Sequence, residues 1–160
     1  MDLTRRDALA AMAAFALMGQ VVDAQAVAAP GAGAQPETSL ADPELAKSKV
    51  FRFKDMKVTQ NSNGGWSRPV VHGTIATGEF VELHETMLPP GKMPHPPHQH
   101  RNSEFLLIHQ GKLEYLNEGV PEPVEVGDVI YSASNRMHGL KNVGDTDAMY
   151  FVVSISHGQM

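Results

Sequence analysis

The sequence predicts an all-β fold, one sandwich or barrel, and three observations carry that expectation. Beyond residue 50 the apolar residues come in short runs, many of them alternating, as strands of roughly 4–8 residues do. Turn-forming residues interrupt those runs about every 8–12 positions, the rhythm of strands joined by tight connections. No stretch in that region keeps a helical apolar period over the roughly 11–18 positions that an amphipathic helix requires. With 160 residues in all, the chain has room for one domain of ordinary size.

The expected strands are residues 50–53, 70–75, 79–88, 104–108, 112–116, 129–132 and 149–155. Between them stand Asn63-Gly64-Gly65, Pro89-Pro90-Gly91, Gln110-Gly111, Asn117-Glu118-Gly119, Gly127-Asp128 and Asn142-Val143-Gly144-Asp145, residue types that fix or permit the turn dihedrals. Residues 44–49 allow one helical turn and no more. An antiparallel barrel closes sheet edges that would otherwise be open to pairing with other chains.

The first 26 residues read as an export signal. Arg5-Arg6 precedes a 15-residue run without charge, residues 8–22, which is too short to span a bilayer core needing about 20 apolar residues. Ala24-Gln25-Ala26 has the small-x-small form of a cleavage site. The arginine pair resembles a twin-arginine signal, which implies a periplasmic or secreted protein without stable membrane insertion. Residues 27–48 are dominated by Ala, Gly, Pro and polar residues, and the expectation is a solvated linker. The folded domain is then expected over residues 49–160.

Composition narrows the chemistry. Eighteen acidic against thirteen basic residues give a net charge of −5, and no basic cluster interrupts the body of the chain. Nucleic acid and anionic membrane surfaces are therefore poor partners, and a small-molecule ligand is the expectation. The absence of cysteine excludes disulfides, thiolate zinc sites, iron–sulfur clusters and thiol nucleophiles. Eight histidines remain as the chemically distinctive residues.

Their spacing is informative. His98 and His100 are two apart, so on an extended segment both rings face one way, ~6.6 Å apart. Glu104 follows four positions later, and His138 lies beyond several further strands. These four residues can meet only if the sheet curls over itself. Three neutral imidazoles and one carboxylate suit a divalent first-row metal, with two octahedral positions left open.

Gly91, His98-Gln99-His100, Glu104 and Gly111 reproduce the first motif of the cupin family, and Gly127-Asp128, His138 and Asn142 the second. The sequence resembles that family over roughly residues 79–156. Two departures stand out. The loop between Gly91 and His98 is one residue longer than usual, and Ala133 and Asn135 replace the proline and glycine of the second motif. The resemblance implies a double-stranded β-helix (jelly-roll) barrel in which His98, His100, Glu104 and His138 bind the metal. Manganese or iron head the range of ions, followed by nickel, cobalt, copper and zinc. A homodimer is among the assemblies it implies.

A first shell of this composition around a dication favours an anionic or chelating ligand. Glu104 is the shell residue able to leave the metal and accept a proton, which makes it the expected catalytic residue. Three further residues are expected at the substrate. His84 is in phase with Glu82 and Thr86 on its strand, His95 lies on the loop leading to the ligands, and Arg136 precedes the last ligand by two positions. His72, His109 and His157 are expected to be solvated or bonded to backbone. The leading functional expectation is an exported metalloenzyme of the dioxygenase or oxidoreductase type. A non-catalytic binding module and a metal-dependent sugar isomerase or epimerase are the alternatives.

Overall fold

The computed structural model describes residues 41–157, so the expected signal at 1–26 and most of the expected linker lie outside the described residues. Among the described residues nine strands, all paired antiparallel, form two sheets. They are β1 (Thr59–Gln60), β2 (Trp66–Thr74), β3 (Glu79–Leu88), β4 (Ser103–Gln110), β5 (Leu113–Asn117), β6 (Val120–Val124), β7 (Val129–Ser132), β8 (His138–Asn142) and β9 (Ala148–His157). The larger sheet has the order β1-β2-β3-β9-β4-β7 and the smaller β6-β5-β8.

Alternation along the strands decides which face is core. In β9 the even-numbered residues Ala148, Tyr150, Val152 and Ser154 are buried while the odd-numbered ones are partly exposed. Leu88, Leu106, Ile108, Leu113, Tyr115, Val124, Ile130 and Leu140 complete the apolar interior between the sheets. Gly111 turns β4 into β5 at φ +85°, and a Cβ there would stand 2.7 Å from Ala148, so both the dihedral and the close approach demand glycine.

The segment before β4 behaves as an added strand of the smaller sheet. Gly91 N–H donates to Asn142 O, Asn142 N–H to Lys92 O, and His98 and His138 exchange two backbone hydrogen bonds. The Asn142 side chain, fully buried, donates to the carbonyls of Leu88 and Thr146 and accepts from Gly144 N–H. The motif asparagine is thus a structural staple that satisfies buried backbone at the barrel end.

Several expected elements need correction. Residues 50–53 are not a strand: the chain makes a 3-10 turn at Phe53–Asp55, and the Phe53 ring lies against the Arg68 guanidinium at 4.1 Å instead of entering the core. The end of the expected linker is anchored, since Asp42 N–H donates to Thr74 O and Thr74 N–H to Asp42 Oδ2. β1, β6 and β8 are additional to the expected strands. β6 carries Pro121 and Pro123, which are tolerated because it is an edge strand whose outward amide positions need no partner.

Candidate metal centre

Three backbone connections bring the ligand residues together. The paired bonds between His98 and His138 place the first and third imidazoles on adjacent backbones. Asn135 N–H donates to His100 O at 2.7 Å, tying the second imidazole to the turn before β8. Asn135 adopts φ 58°, the left-handed conformation that asparagine tolerates in place of glycine. Glu104 enters from the second position of β4, paired with Ser132 and Ser154.

The three rings form a nearly equilateral triangle. Centroids are 4.9 Å apart for His98–His100 and 4.8 Å for both His98–His138 and His100–His138, and one nitrogen from each ring lies within 4.8 Å of the others. Glu104 is outside that mutual set but close to it: Oε1 is 3.3 Å from His100 Nε2 and Oε2 3.7 Å from His138 Nε2.

The second layer of contacts sets the chemistry of these nitrogens. His100 Nδ1 lies 3.0 Å from Asn102 O, and His138 Nδ1 2.8 Å from Arg136 O. A carbonyl only accepts, so in each neutral ring Nδ1 carries the proton and Nε2 keeps its lone pair, the arrangement usual for a metal-binding imidazole. His100 Nε2, His138 Nε2 and His98 Nδ1 are buried without a hydrogen-bond partner among the described residues. Buried polar atoms rarely remain unsatisfied, and the two Nε2 atoms that face Glu104, in a triad whose ring nitrogens come within 4.8 Å of one another, fit a dication. Burial, followed by the charges of His95, His138 and His100, pushes His98 down to about 4, which keeps it neutral and able to ligate at physiological pH.

Asn102, which sequence reasoning missed, is a positioning residue. Its carbonyl orients His100, and its buried amide donates to Ser154 Oγ and, at 3.5 Å, to Glu104 Oε1. Only the fold brings Ser154 to it, so nothing in the local sequence marks the role. Tyr115 is a second such residue: its ring stacks on His138 with centroids 6.4 Å apart, and its hydroxyl bonds Ser132 Oγ at 2.7 Å.

Glu104 opens onto a cavity of about 520 Å³. His84 and Thr86 line it from β3, Tyr150 and Val152 from β9, and Leu106 and Leu140 supply apolar floor. His95 lines it too, set edge-on to His98 with centroids 4.1 Å apart and bonded through Nδ1 to Pro96 O. The structure therefore brings His84 and His95 to the cavity. It does not bring Arg136 there: that side chain is exposed and paired with Glu118 at 3.1 Å. His109 is on the outer face as its phase requires, but it pairs with the buried Glu85 carboxylate at 3.1 Å rather than with solvent or backbone.

The pH dependence of stability follows from His98. The unfolded chain takes up this proton near the ordinary ~6.5, whereas the folded metal-free chain resists protonation until about 4. The folded state thus binds fewer protons between these values, and stability falls as pH drops through that window. Urea midpoints of chelator-stripped protein should be lower at pH 4.5 than at pH 7, with part of the difference lost in His98→Gln. An undiminished difference in His98→Gln would refute the assignment.

Comparisons with known proteins agree with this fold. The cupin domain model matches residues 84–154, a stretch holding all four candidate ligands. A RmlC-like cupin from Shewanella frigidimarina aligns with 70% of this chain and 94% of its own, at 18% identity and a TM-score of 0.56. KdgF from Halomonas sp. aligns over 71% and 96%, at 19% identity and 0.59. A Thermotoga maritima protein described as a predicted oxalate decarboxylase aligns over 67% and 98%, at 24% identity and 0.53. No curated protein matches the sequence. At these identities the likeness establishes the fold, a double-stranded β-helix barrel of cupin type, and the histidine triad is able to hold a metal ion.

Proposed function

We propose that this protein is an exported cupin metalloenzyme that uses one divalent first-row metal on a small polar or chelating substrate, in chemistry of the dioxygenase or oxidoreductase type. One observation carries the reading. Glu104, beside three converging imidazoles, lines a polar cavity of about 520 Å³, large enough for a small substrate, which a site built only to sequester an ion would not need.

His98, His100 and His138 would hold the ion, with Glu104 as fourth ligand. When bound, such a dication supplies Lewis acidity toward chelating oxygens and a place for dioxygen beside them. The chain's own residues supply the rest. The carbonyls of Asn102 and Arg136 aim two imidazole lone pairs. Glu104 is positioned to accept a proton from a substrate hydroxyl at the cavity floor. Tyr150, whose phenol burial pushes well up, stays neutral and bonded to Thr86 in the same wall.

The test begins with protein recovered after export. Intact mass should show a chain starting near Val27, and elemental analysis close to one first-row metal per chain. A dioxygen-uptake screen over chelating hydroxyacids and diols should then find a substrate. A mass that still includes residues 1–26 rules out processing. Stoichiometric metal without uptake or any other turnover leaves the binding module in place of the enzyme.

A further inference from the structure

The part of the cavity away from the metal centre is built by residues that precede the stretch matched by the cupin domain model. Gln60, Asn61, Ser62 and Ser67, from β1, β2 and their connection, line the same cavity as Glu104. β2 stands three strand positions from β4, roughly 14 Å along the sheet. The connection is held in place from both sides. Asn61 Nδ2 donates to Ser67 Oγ at 2.9 Å, and Asn63 Nδ2 donates to Met93 O at 2.9 Å on the loop that leads to the ligands. Gly65 permits the approach, since a Cβ there would fall 2.3 Å from Met87 O.

This wall consists of amides and hydroxyls. Among the residues lining the cavity, Glu104 is the only acidic one, and no lysine or arginine takes part. Arg68 follows Ser67 directly, but its side chain is engaged elsewhere. It pairs with Glu85 and lies between the rings of Phe53 and Trp66, at 4.1 and 4.8 Å. An anionic group placed against the wall would therefore lose its hydration with no cation in exchange. A hydroxyl there would find both donors and acceptors.

We propose that the wall formed by Gln60, Asn61, Ser62 and Ser67 selects a small hydroxyl-rich ligand, sugar-acid-like or polyol-like, that chelates at one end and is uncharged at the other. The proposal rests on the metal-centre reading above and adds what lies beyond the metal. It separates molecules that share a chelating end, favouring the neutral polyol tail over a phosphorylated one.

Three probes share an α-hydroxycarboxylate end and differ only in the rest: glycolate has no tail, D-gluconate a neutral polyol tail, and 6-phospho-D-gluconate the same tail ending in a phosphate. Calorimetric titration of the full chain loaded with manganese measures all three. D-gluconate should bind at least tenfold more tightly than glycolate, since each added hydrogen bond is worth about three- to tenfold. 6-Phospho-D-gluconate should bind at least tenfold more weakly than D-gluconate. In Asn61→Ala and Ser67→Ala the ratio of D-gluconate to glycolate affinity should collapse toward one, with melting curves confirming the fold. Equal or tighter binding of the phosphorylated probe, or D-gluconate no tighter than glycolate, would overturn the proposal on the unmodified chain alone. If neither glycolate nor D-gluconate gives manganese-dependent heat, the metal-centre reading fails, and the proposal with it, by a result distinct from the other two.

Discussion

Replacing His138 with alanine should erase the metal-dependent part of the protein's stability. His138 is the most buried of the three imidazoles, its Nε2 has no partner among the described residues, and its Nδ1 is fixed by Arg136 O. Losing it leaves two imidazoles and a carboxylate, and the start of β8 is no longer tied to the ion. A ligand that binds only the folded state stabilises it by RT ln(1 + [M]/Kd), ~3–4 kcal/mol at hundreds to a thousand times Kd. For a domain of this size that corresponds to a Tm difference on the order of 10 °C. The side chain also packs against Tyr115, so the metal-free protein should melt lower too. The informative quantity is therefore the difference in Tm with and without chelator, measured for each protein at pH 7. It should vanish in His138→Ala and His100→Ala and persist in His72→Ala, whose ring lies edge-on to Phe80 away from the cluster. A His138→Ala protein that keeps the full chelator-sensitive difference contradicts the assignment.

How much of this was legible before the structure depends on where the determining contact lies along the chain. β3 and β7 coincide with their expected spans because each is a mixed or apolar extended run that follows a Gly-containing turn, β3 being stopped by Pro89-Pro90. The convergence of His98, His100 and His138 was legible from the His-x-His spacing together with the resemblance to the cupin motifs. β6 was hidden because its prolines argue against a strand unless the strand is known to be an edge, which is a property of the assembled sheet. β8 was hidden because its five residues mix a ligand, a glycine, a lysine and a buried asparagine, and only the pairing with β5 and with the 91–98 segment makes them extended. Arg136 fails for a third reason. Two residues from a ligand is close in sequence, but β8 begins between them, and the side chain turns to Glu118. Asn102 and the Gln60–Ser67 wall were beyond reach, since what fixes them includes partners 30 or more residues away, as Asn63 with Met93 and Asn102 with Ser154 show.

Changing Glu104 to glutamine should separate catalysis from metal binding. The amide keeps the shape and one oxygen donor but removes a unit of negative charge, raising the donor set with a dication from a net +1 to +2. The three imidazoles are unchanged, so the variant should retain a measurable share of its metal. What it loses is the group at the junction of centre and cavity able to take a proton, because Glu104 both approaches His100 and His138 and lines the cavity. General-base loss alone typically costs about 10²–10⁴-fold in rate. Asn102 provides an internal check. Its amide now donates weakly to Glu104 Oε1, and the glutamine can turn its own oxygen to the same contact. Disruption of the positioning network is thus small in Glu104→Gln and larger in Glu104→Ala. Metal content and turnover must be measured on the same preparations. An enzyme predicts Glu104→Gln with substantial metal and turnover down by at least a hundredfold, and Glu104→Ala with less metal and no greater residual rate. Full metal with undiminished turnover in Glu104→Gln would exclude the proton-acceptor role and leave Glu104 a structural ligand.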